Sequence, residues 1–158
     1  MSLDKVRAHL EAHGLDSRIR EFDASSATVP LAALAAGVAE ARIAKTLSFR
    51  SPDGGAMLVV CAGDTRLSNP KFKARFGIKA RMLAPEEARE MTGHSVGGVC
   101  PFALKPGVAV YLDEALRRFP TIFPAAGSAA SAVELTPSEL ERASGGAWVD
   151  VCQPADAP

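Results

Sequence analysis

Hydrophobic positions along the chain switch repeatedly between a helical and an extended period. Leu3, Val6 and Leu10 recur at helical spacing ahead of Gly14, which predicts a helix over 3–13 with Ser2 as its cap. Arg18 to Phe22 predicts a short strand, and the Ala/Leu-rich run from Pro30 to Ala36, closed by Gly37, a short helix. In RIAKTLSFR, Arg42 to Arg50, the period becomes two. Ile43, Lys45, Leu47 and Phe49 fall on one face and Ala44, Thr46, Ser48 and Arg50 on the other. SPDGG is a turn signal, and AMLVVCAG after it is almost continuously apolar. Together these predict a hairpin whose second strand is central in a sheet.

Beyond the hairpin, Asn69 to Phe76 predicts a basic helix ended by Gly77, Lys79 to Leu83 a strand, and Pro85 to Thr92 a helix ended by Gly93. HSVGGVCPFALKPG has no period and reads as a loop. VAVYL is a buried strand, with Asp113 placed to cap the short helix behind it. Thr121 to Pro124 and Ala132 to Leu135 are short strands around the small-residue loop AAGSAAS. TPSE, Thr136 to Glu139, is a capping box with proline at the first helical position, and AWVDV is a final strand. Irregular alternation without repeat or linker predicts one α+β domain over 1–158, a mixed, mostly antiparallel sheet surrounded by short helices.

Composition narrows the function classes. The 158 residues are 47% hydrophobic and 23% charged, enough for a core in one globular domain. The longest uncharged apolar stretch is far short of a membrane span, and MSLDKVRAHL lacks the apolar core and cleavage site of a signal peptide; a cytoplasmic protein without a membrane partner is the expectation. Cys61, Cys100 and Cys152 form no CxxC pair and are expected to be reduced thiols. His9 and His13 share a helix face, but with only His94 as a further imidazole and no HExxH they make no metal site. The two common nucleotide loops and the GxSxG elbow are absent, so no cofactor is expected.

Net charge is zero, but its distribution is uneven. Arg66, Lys71, Lys73, Arg75, Lys79 and Arg81 follow one another with no acidic residue between them. Such a run is either a solvated helix face or a local phosphate-binding patch, with Arg66, Lys71, Lys73 and Arg75 as its candidate phosphate contacts.

Two features point to chemistry. An ammonium on the apolar face of a strand, as at Lys45, is costly unless it has a partner or a task. The run Gly97-Gly98-Val99-Cys100-Pro101 frees the backbone to turn sharply and can aim several N–H groups at one carbonyl or oxyanion. Cys100 with His94 can be a thiol–imidazole pair, although a space-filling thiol in a tight loop is the favoured reading.

IAKTL in one strand, then VGGVCPFAL, VYLDEAL and AAGSAASAVELTPSEL, in this order and spacing, resemble the YbaK/EbsC family, whose fold is shared with the editing domain inserted in bacterial prolyl-tRNA synthetases. The likeness runs from about Phe22 to Leu140. It implies hydrolysis, in trans, of a mischarged aminoacyl-tRNA carrying a small amino acid. It maps the family's essential lysine onto Lys45 and its GxxxP loop onto Gly97–Pro101. The implied reaction has no covalent intermediate: water attacks the ester, the loop orients the aminoacyl group, and the terminal ribose hydroxyl assists. Lys45 anchors the substrate or acts as base. Candidate substrate contacts are Thr46, Gly97, Gly98, Val99, Cys100, Pro101, Phe102, Gly127 and Ser128, with Leu47 and the small residues from Ala126 to Ala132 as pocket lining. The alanine-specific branch has a histidine after the glycine where this chain reads Gly127-Ser128, so cysteine, serine, threonine or another small side chain is expected. The partners implied are the 3′ end of aminoacyl-tRNA and, as a further candidate, an aminoacyl-tRNA synthetase. The alternative is a non-catalytic module of the same fold that binds tRNA, other nucleic acid or a synthetase.

Overall fold

Prolines and glycines set most of the helix boundaries. The computed structural model describes residues 2–95 and 97–156, so Val96, inside the long loop read from the sequence, lies outside the described residues. In chain order the elements are α1 (Ser2–Glu11), β1 (Ile19–Glu21), α2 (Val29–Ala36), β2 (Ile43–Arg50), β3 (Ala56–Ala62) and β4 (Thr65–Leu67). Then follow α3 (Asn69–Phe76), α4 (Pro85–Thr92), β5 (Ala109–Asp113), β6 (Phe123–Pro124), β7 (Ser131–Val133), α5 (Pro137–Ser144), β8 (Ala147–Val149) and β9 (Cys152–Pro154). From α2 to α5 every helix has a proline in its first turn and stops at a glycine in the left-handed region. The TPSE box forms as read: Thr136 and Glu139 cap each other's backbone.

A five-stranded sheet, in the order β6-β2-β3-β5-β8, carries the fold. Its longest ladder, β2 with β3 from Ala44↔Ala62 to Arg50↔Ala56, is antiparallel, and its shorter pairings are parallel. Two antiparallel ribbons, β1–β7 and β4–β9, flank it. This is the mixed α+β architecture read from the sequence. β3 is central and buried along its whole length, as its apolar run demands. Residues of alternate parity feed two cores. Val60 and Leu112 pack with Val6, Leu10, Leu116 and Leu140, while Phe49, Val59 and Cys61 pack with Phe72 and Val151.

Three details depart from the sequence reading. The strand expected over Lys79–Leu83 shrinks to one bridge, Phe49↔Met82. Ser2, expected as a helix cap, puts its hydroxyl against His94 Nδ1 instead. The β4–β9 ribbon was not foreseen; Asp113 holds it, its Oδ1 accepting from the N–H groups of Val151 (3.0 Å) and Cys152 (3.1 Å). With Oδ2 capping Ala115 N–H (3.0 Å), this buried carboxylate is satisfied by main-chain donors. Among the described residues no helix is long and apolar enough to cross a membrane.

Candidate active site

Strand β2 is an interior strand at its ends and an edge strand in its middle. On the side away from β3 it pairs with β6 only at Ile43 and Ala44. At the other end Arg50 N–H donates to Arg81 C=O (2.9 Å) and Leu83 N–H to Ser48 C=O (3.0 Å). Between these supports a cleft of about 340 Å³ opens along the strand, lined by consecutive β2 residues of both parities, Lys45, Thr46 and Leu47 among them. Across from them stand Gly97, Val99, Phe123, Ala125, Ser131 and Ala132. Such a volume suits a small molecule or the end of a larger one, not a folded nucleic acid.

Lys45 stands opposite Cys61 on the sheet and shares its face with Leu47 and Phe49. Its ammonium donates to the carbonyl of Thr65. That carbonyl is turned toward it by the β4–β9 ribbon: Ala155 N–H donates to Asp64 C=O (2.9 Å), so the next carbonyl along, Thr65, faces the other way. The carboxyl of Asp64 is held below the usual range by the Arg118 fork (2.6 and 3.1 Å), burial opposing, with Lys45 adding to the pull. Lys45 therefore spends one of its N–H donors on the protein and has others to offer at the cleft wall.

The glycine loop divides into two parts. Gly97, with φ +85, and Val99 line the cleft, and a Cβ at Gly97 would lie 3.0 Å from Ala27 Cβ and 3.1 Å from Ala129 Cβ. Gly98 instead packs its backbone on the neighbouring loop, where a Cβ would meet Gly127 C and Ser128 N at 2.8 Å. Gly127 in turn abuts α1, its Cβ position 2.8 Å from Ser2 O. Ser128 donates to Ser131 Oγ (2.8 Å) within its own loop. Cys100, Pro101 and Phe102 are buried, Cys100 and Phe102 in the core. Of the residues singled out in the sequence, the fold thus brings Lys45, Thr46, Leu47, Gly97 and Val99 to the cleft; Gly98, Cys100, Pro101, Phe102, Gly127 and Ser128 build the wall behind it. Ala126, expected as lining, is also core, and its neighbour Ala125 takes the place at the cleft.

Cys100 has no activated thiol. Full burial pushes it up to about 12, against a hydrogen bond to Phe102 C=O. His94 Nε2 lies 3.6 Å from the sulfur but donates to Phe102 C=O (2.7 Å), and burial lowers the imidazole's affinity for a proton. Cys61, hydrogen-bonded by Cys152 (Sγ–Sγ 3.0 Å) and buried, is likewise pushed well up. His9 is spent on structure, donating from Nε2 to Ala143 C=O (2.6 Å) and accepting at Nδ1 from Ala103 N–H (3.2 Å). Among the described residues no cluster of three or more metal-ligating side chains occurs.

The sequence reading missed one wall, Ser26 to Val29 with Ala32 and the lip Met82–Leu83. Its local signal, Thr28 capping α2 through Leu31 N–H (3.3 Å), is a helix start and says nothing of a cleft. What brings it there is tertiary: Phe22 N–H and Ser26 N–H donate to Ala130 C=O (2.8 Å) and Ala129 C=O (2.6 Å).

The basic run is tied to the cleft at both ends. Arg66 follows Thr65, the partner of Lys45, and Arg81 precedes Met82 at the lip. Its six side chains are all exposed. Arg66 meets the Gln153 side-chain oxygen (3.0 and 3.2 Å), Lys71 pairs with Asp150 (2.9 Å) and Cys152 C=O (3.1 Å), and Arg75 lies over Phe76 and Tyr111. Lys73 makes no ion pair among the described residues.

Comparison with known proteins gives the family of the chain. The chain is 51% identical to the uncharacterized protein YwhH of Bacillus subtilis (strain 168), over 97% of this chain and 98% of that one. A proline–tRNA ligase of Pelobacter propionicus (strain DSM 2379 / NBRC 103807 / OttBd1) is 37% identical over 51% of this chain, which spans only 14% of the ligase. A solved structure described as a candidate trans-editing enzyme for prolyl tRNA synthetase superposes with a TM-score of 0.87 at 33% identity, covering 96% of this chain and 97% of that one. The hypothetical protein APE2540 superposes at 0.86 with 34% identity, covering 94% and 99%. The aminoacyl-tRNA editing domain model matches residues 23–143, and the chain belongs to that family.

Proposed function

We propose that this protein is a trans-acting deacylase that hydrolyses the ester of a tRNA mischarged with a small amino acid. The observation that carries the reading is the cleft itself: Lys45, Thr46, Gly97 and Val99 converge on one small space whose wall combines small residues, among them Ala27, Ala125, Ser131 and Ala132, with apolar ones such as Leu47 and Phe123. Its size and lining match an amino acid on a ribose. An editing step is needed because a synthetase pocket gains only about 1–3 kcal/mol from one methylene and so admits smaller side chains.

Lys45 serves as an anchor. One N–H stays on Thr65 C=O, and the other two are available to the terminal phosphate, ribose or ester carbonyl of the substrate. Water adds to the ester carbonyl carbon, and the charge on the carbonyl oxygen is met by fixed donors at the cleft wall. The ester C–O bond then breaks, the proton given up by the attacking water passes to the departing ribose oxygen with the neighbouring ribose hydroxyl assisting, and the free amino acid and uncharged tRNA leave. No thiol intermediate takes part, because Cys100 is protonated and in the core. The exposed cations from Arg66 to Arg81 hold the phosphates of the acceptor end. Gly127 and Ser128 act behind the wall, setting the position of Gly98.

The test is a panel of tRNAs charged with alanine, cysteine, serine and threonine, assayed for release of intact uncharged tRNA. Turnover of at least one ester, abolished in Lys45→Ala, is expected. Tight tRNA binding with no hydrolysis across the panel would make the protein a binding module instead.

A further inference from the structure

The edge that β2 leaves open carries hydrogen-bonding groups that the protein itself does not use. Ser48 C=O accepts from Leu83 N–H, and Arg50 N–H donates to Arg81 C=O. Even-numbered residues of β2 therefore direct N–H and C=O away from β3. Thr46 accordingly presents both its N–H and its C=O at the cleft, and Ser48 its N–H. The β6 ladder ends at Ala44↔Pro124 and the next bridge is Phe49↔Met82, so none of these three groups has a backbone partner among the described residues. A second observation falls on the same residue. Thr46 Oγ1 is the one buried side-chain oxygen or nitrogen among the described residues without a hydrogen-bond partner. Thr46 and Ser48 both line the cleft. Leaving a buried hydroxyl unpaired is unfavourable, and a ligand that supplies the partner relieves it.

We propose that this edge recognises the aminoacyl group as if it were one more residue of the sheet. The inference rests on the deacylase reading and specifies how that site holds its substrate. An aminoacyl ester has a donor at its α-nitrogen and an acceptor at its carbonyl, separated by one Cα, the same pair that a strand residue offers its neighbour. The α-ammonium donates to Thr46 C=O, and the ester carbonyl accepts from the N–H of Thr46 or Ser48. Thr46 Oγ1 accepts a hydrogen bond from a second N–H of the ammonium. The side chain then points at walls built from Gly97, Ala27 and Ala132, where there is room only for a small group. Recognition is thus of the free amino group and the main-chain unit, with the side chain selected by exclusion.

Two measurements test this. The first compares the best aminoacyl-tRNA of the panel with the same ester N-acetylated, and wild type with Thr46→Val and Thr46→Ser. Acetylation should slow hydrolysis by about 10- to 100-fold, the value of a hydrogen bond to a charged group. Thr46→Val should raise KM by about 10-fold with its melting temperature kept, and Thr46→Ser should restore it. The second titrates the 15N-labelled protein with a non-hydrolysable 3′-aminoacylamido-adenosine carrying the same amino acid. The amide signals of Thr46 and Ser48 should shift and become protected from exchange. Hydrolysis of acetylated and free esters at equal rates, or hydrolysis with both amides unmoved, overturns the edge and leaves the deacylase intact. Shifted amides without hydrolysis of any ester overturn the deacylase and keep the edge; neither shift nor hydrolysis overturns both.

Discussion

Removing the amine of Lys45 should separate its two functions. In the folded protein the ammonium caps Thr65 C=O, a carbonyl that the β4–β9 ribbon turns away from its own partner strand. Thr65 is 5% exposed, so in Lys45→Ala this carbonyl loses its partner with little water to replace it, at a cost of about 1–3 kcal/mol. For a chain of this length 1 kcal/mol moves the melting temperature by about 2–4 °C, so a decrease of about 2–12 °C is expected while the fold is kept. The effect on rate is larger. Losing a fixed donor at the developing charge typically costs about 10²–10³ in rate, and the charge that positions the tRNA end is lost as well. Single-turnover hydrolysis of the best aminoacyl-tRNA, with a circular dichroism melt of the same samples, reads both quantities. Lys45→Arg keeps the charge at every working pH but cannot act as a base, so residual turnover in that variant identifies the lysine as an anchor. Wild-type turnover in a folded Lys45→Ala protein across the panel would refute the role assigned to the amine, and with it the reading of the cleft as the site of hydrolysis.

Other outcomes follow from the same structure. Lys73→Ala should weaken tRNA binding and flatten the slope of log K against log salt by about 0.7, whereas Lys71→Ala, which also breaks the pair with Asp150, should in addition lower the melting temperature; an unchanged slope in Lys73→Ala shows that the tRNA docks elsewhere. Cys61, Cys100 and Cys152 are all buried, so native protein should react slowly with a disulfide reagent and unfolded protein should titrate all three thiols; one rapid equivalent would reveal a reactive thiol and reopen the thiol mechanism. Burial makes folded His94 harder to protonate than in the unfolded chain, so the unfolded state takes up the proton first and stability should fall as pH drops from above 6.5 toward the lowered folded value, a slope that His94→Gln should flatten; a melting temperature equally pH-dependent in that variant would assign the slope to other groups. Gly98→Ala should destabilise and inactivate together, because its methyl would enter the Gly127–Ser128 backbone at 2.8 Å, while Cys100→Ala should cost about 1 kcal/mol of packing and keep most activity; a folded and inactive Cys100→Ala protein would count against hydrolysis by water.

What the sequence discloses of this molecule follows from the range of the forces involved. Helices α2 to α5 are legible because proline, glycine and the capping residues that bound them act within a few positions. The β2–β3 hairpin is legible because its period and turn are local too. The β4–β9 ribbon is not: Thr65 to Leu67 carries no strand period, and its partner lies at the far end of the chain, fixed by the Asp113 carboxylate. The strand expected over Lys79–Leu83 fails for a related reason. Its residues supply a lip to the cleft through two main-chain bonds and do not extend a ladder.

The site divides along the same line. Lys45 is conspicuous in the sequence because a charge on an apolar face breaks the pattern around it, and Gly97-Gly98 because the pair falls in a long stretch without a period and is followed closely by Pro101. The two glycines turn out to differ, one facing the cleft and the other pressed on Gly127, and no periodicity separates those cases. Thr46 is inconspicuous for the opposite cause. A threonine in a strand is ordinary, and what distinguishes it is the absence of a neighbour on one side of β2 over the few residues where β6 has ended and Met82 has not begun. An interrupted sheet edge is a property of three segments distant in sequence. It is also what a main-chain-recognising site requires, since donors and acceptors committed to a complete ladder would have nothing left for a substrate. The parallel β6 strand is short because Pro124 and the small-residue loop after it turn the chain away, and the cleft exists because of that early ending. Lengthening the β6 pairing by one residue would commit the Thr46 N–H to the protein's own ladder, and lengthening it further would commit the Thr46 C=O as well, closing the place where the substrate's main-chain atoms are held.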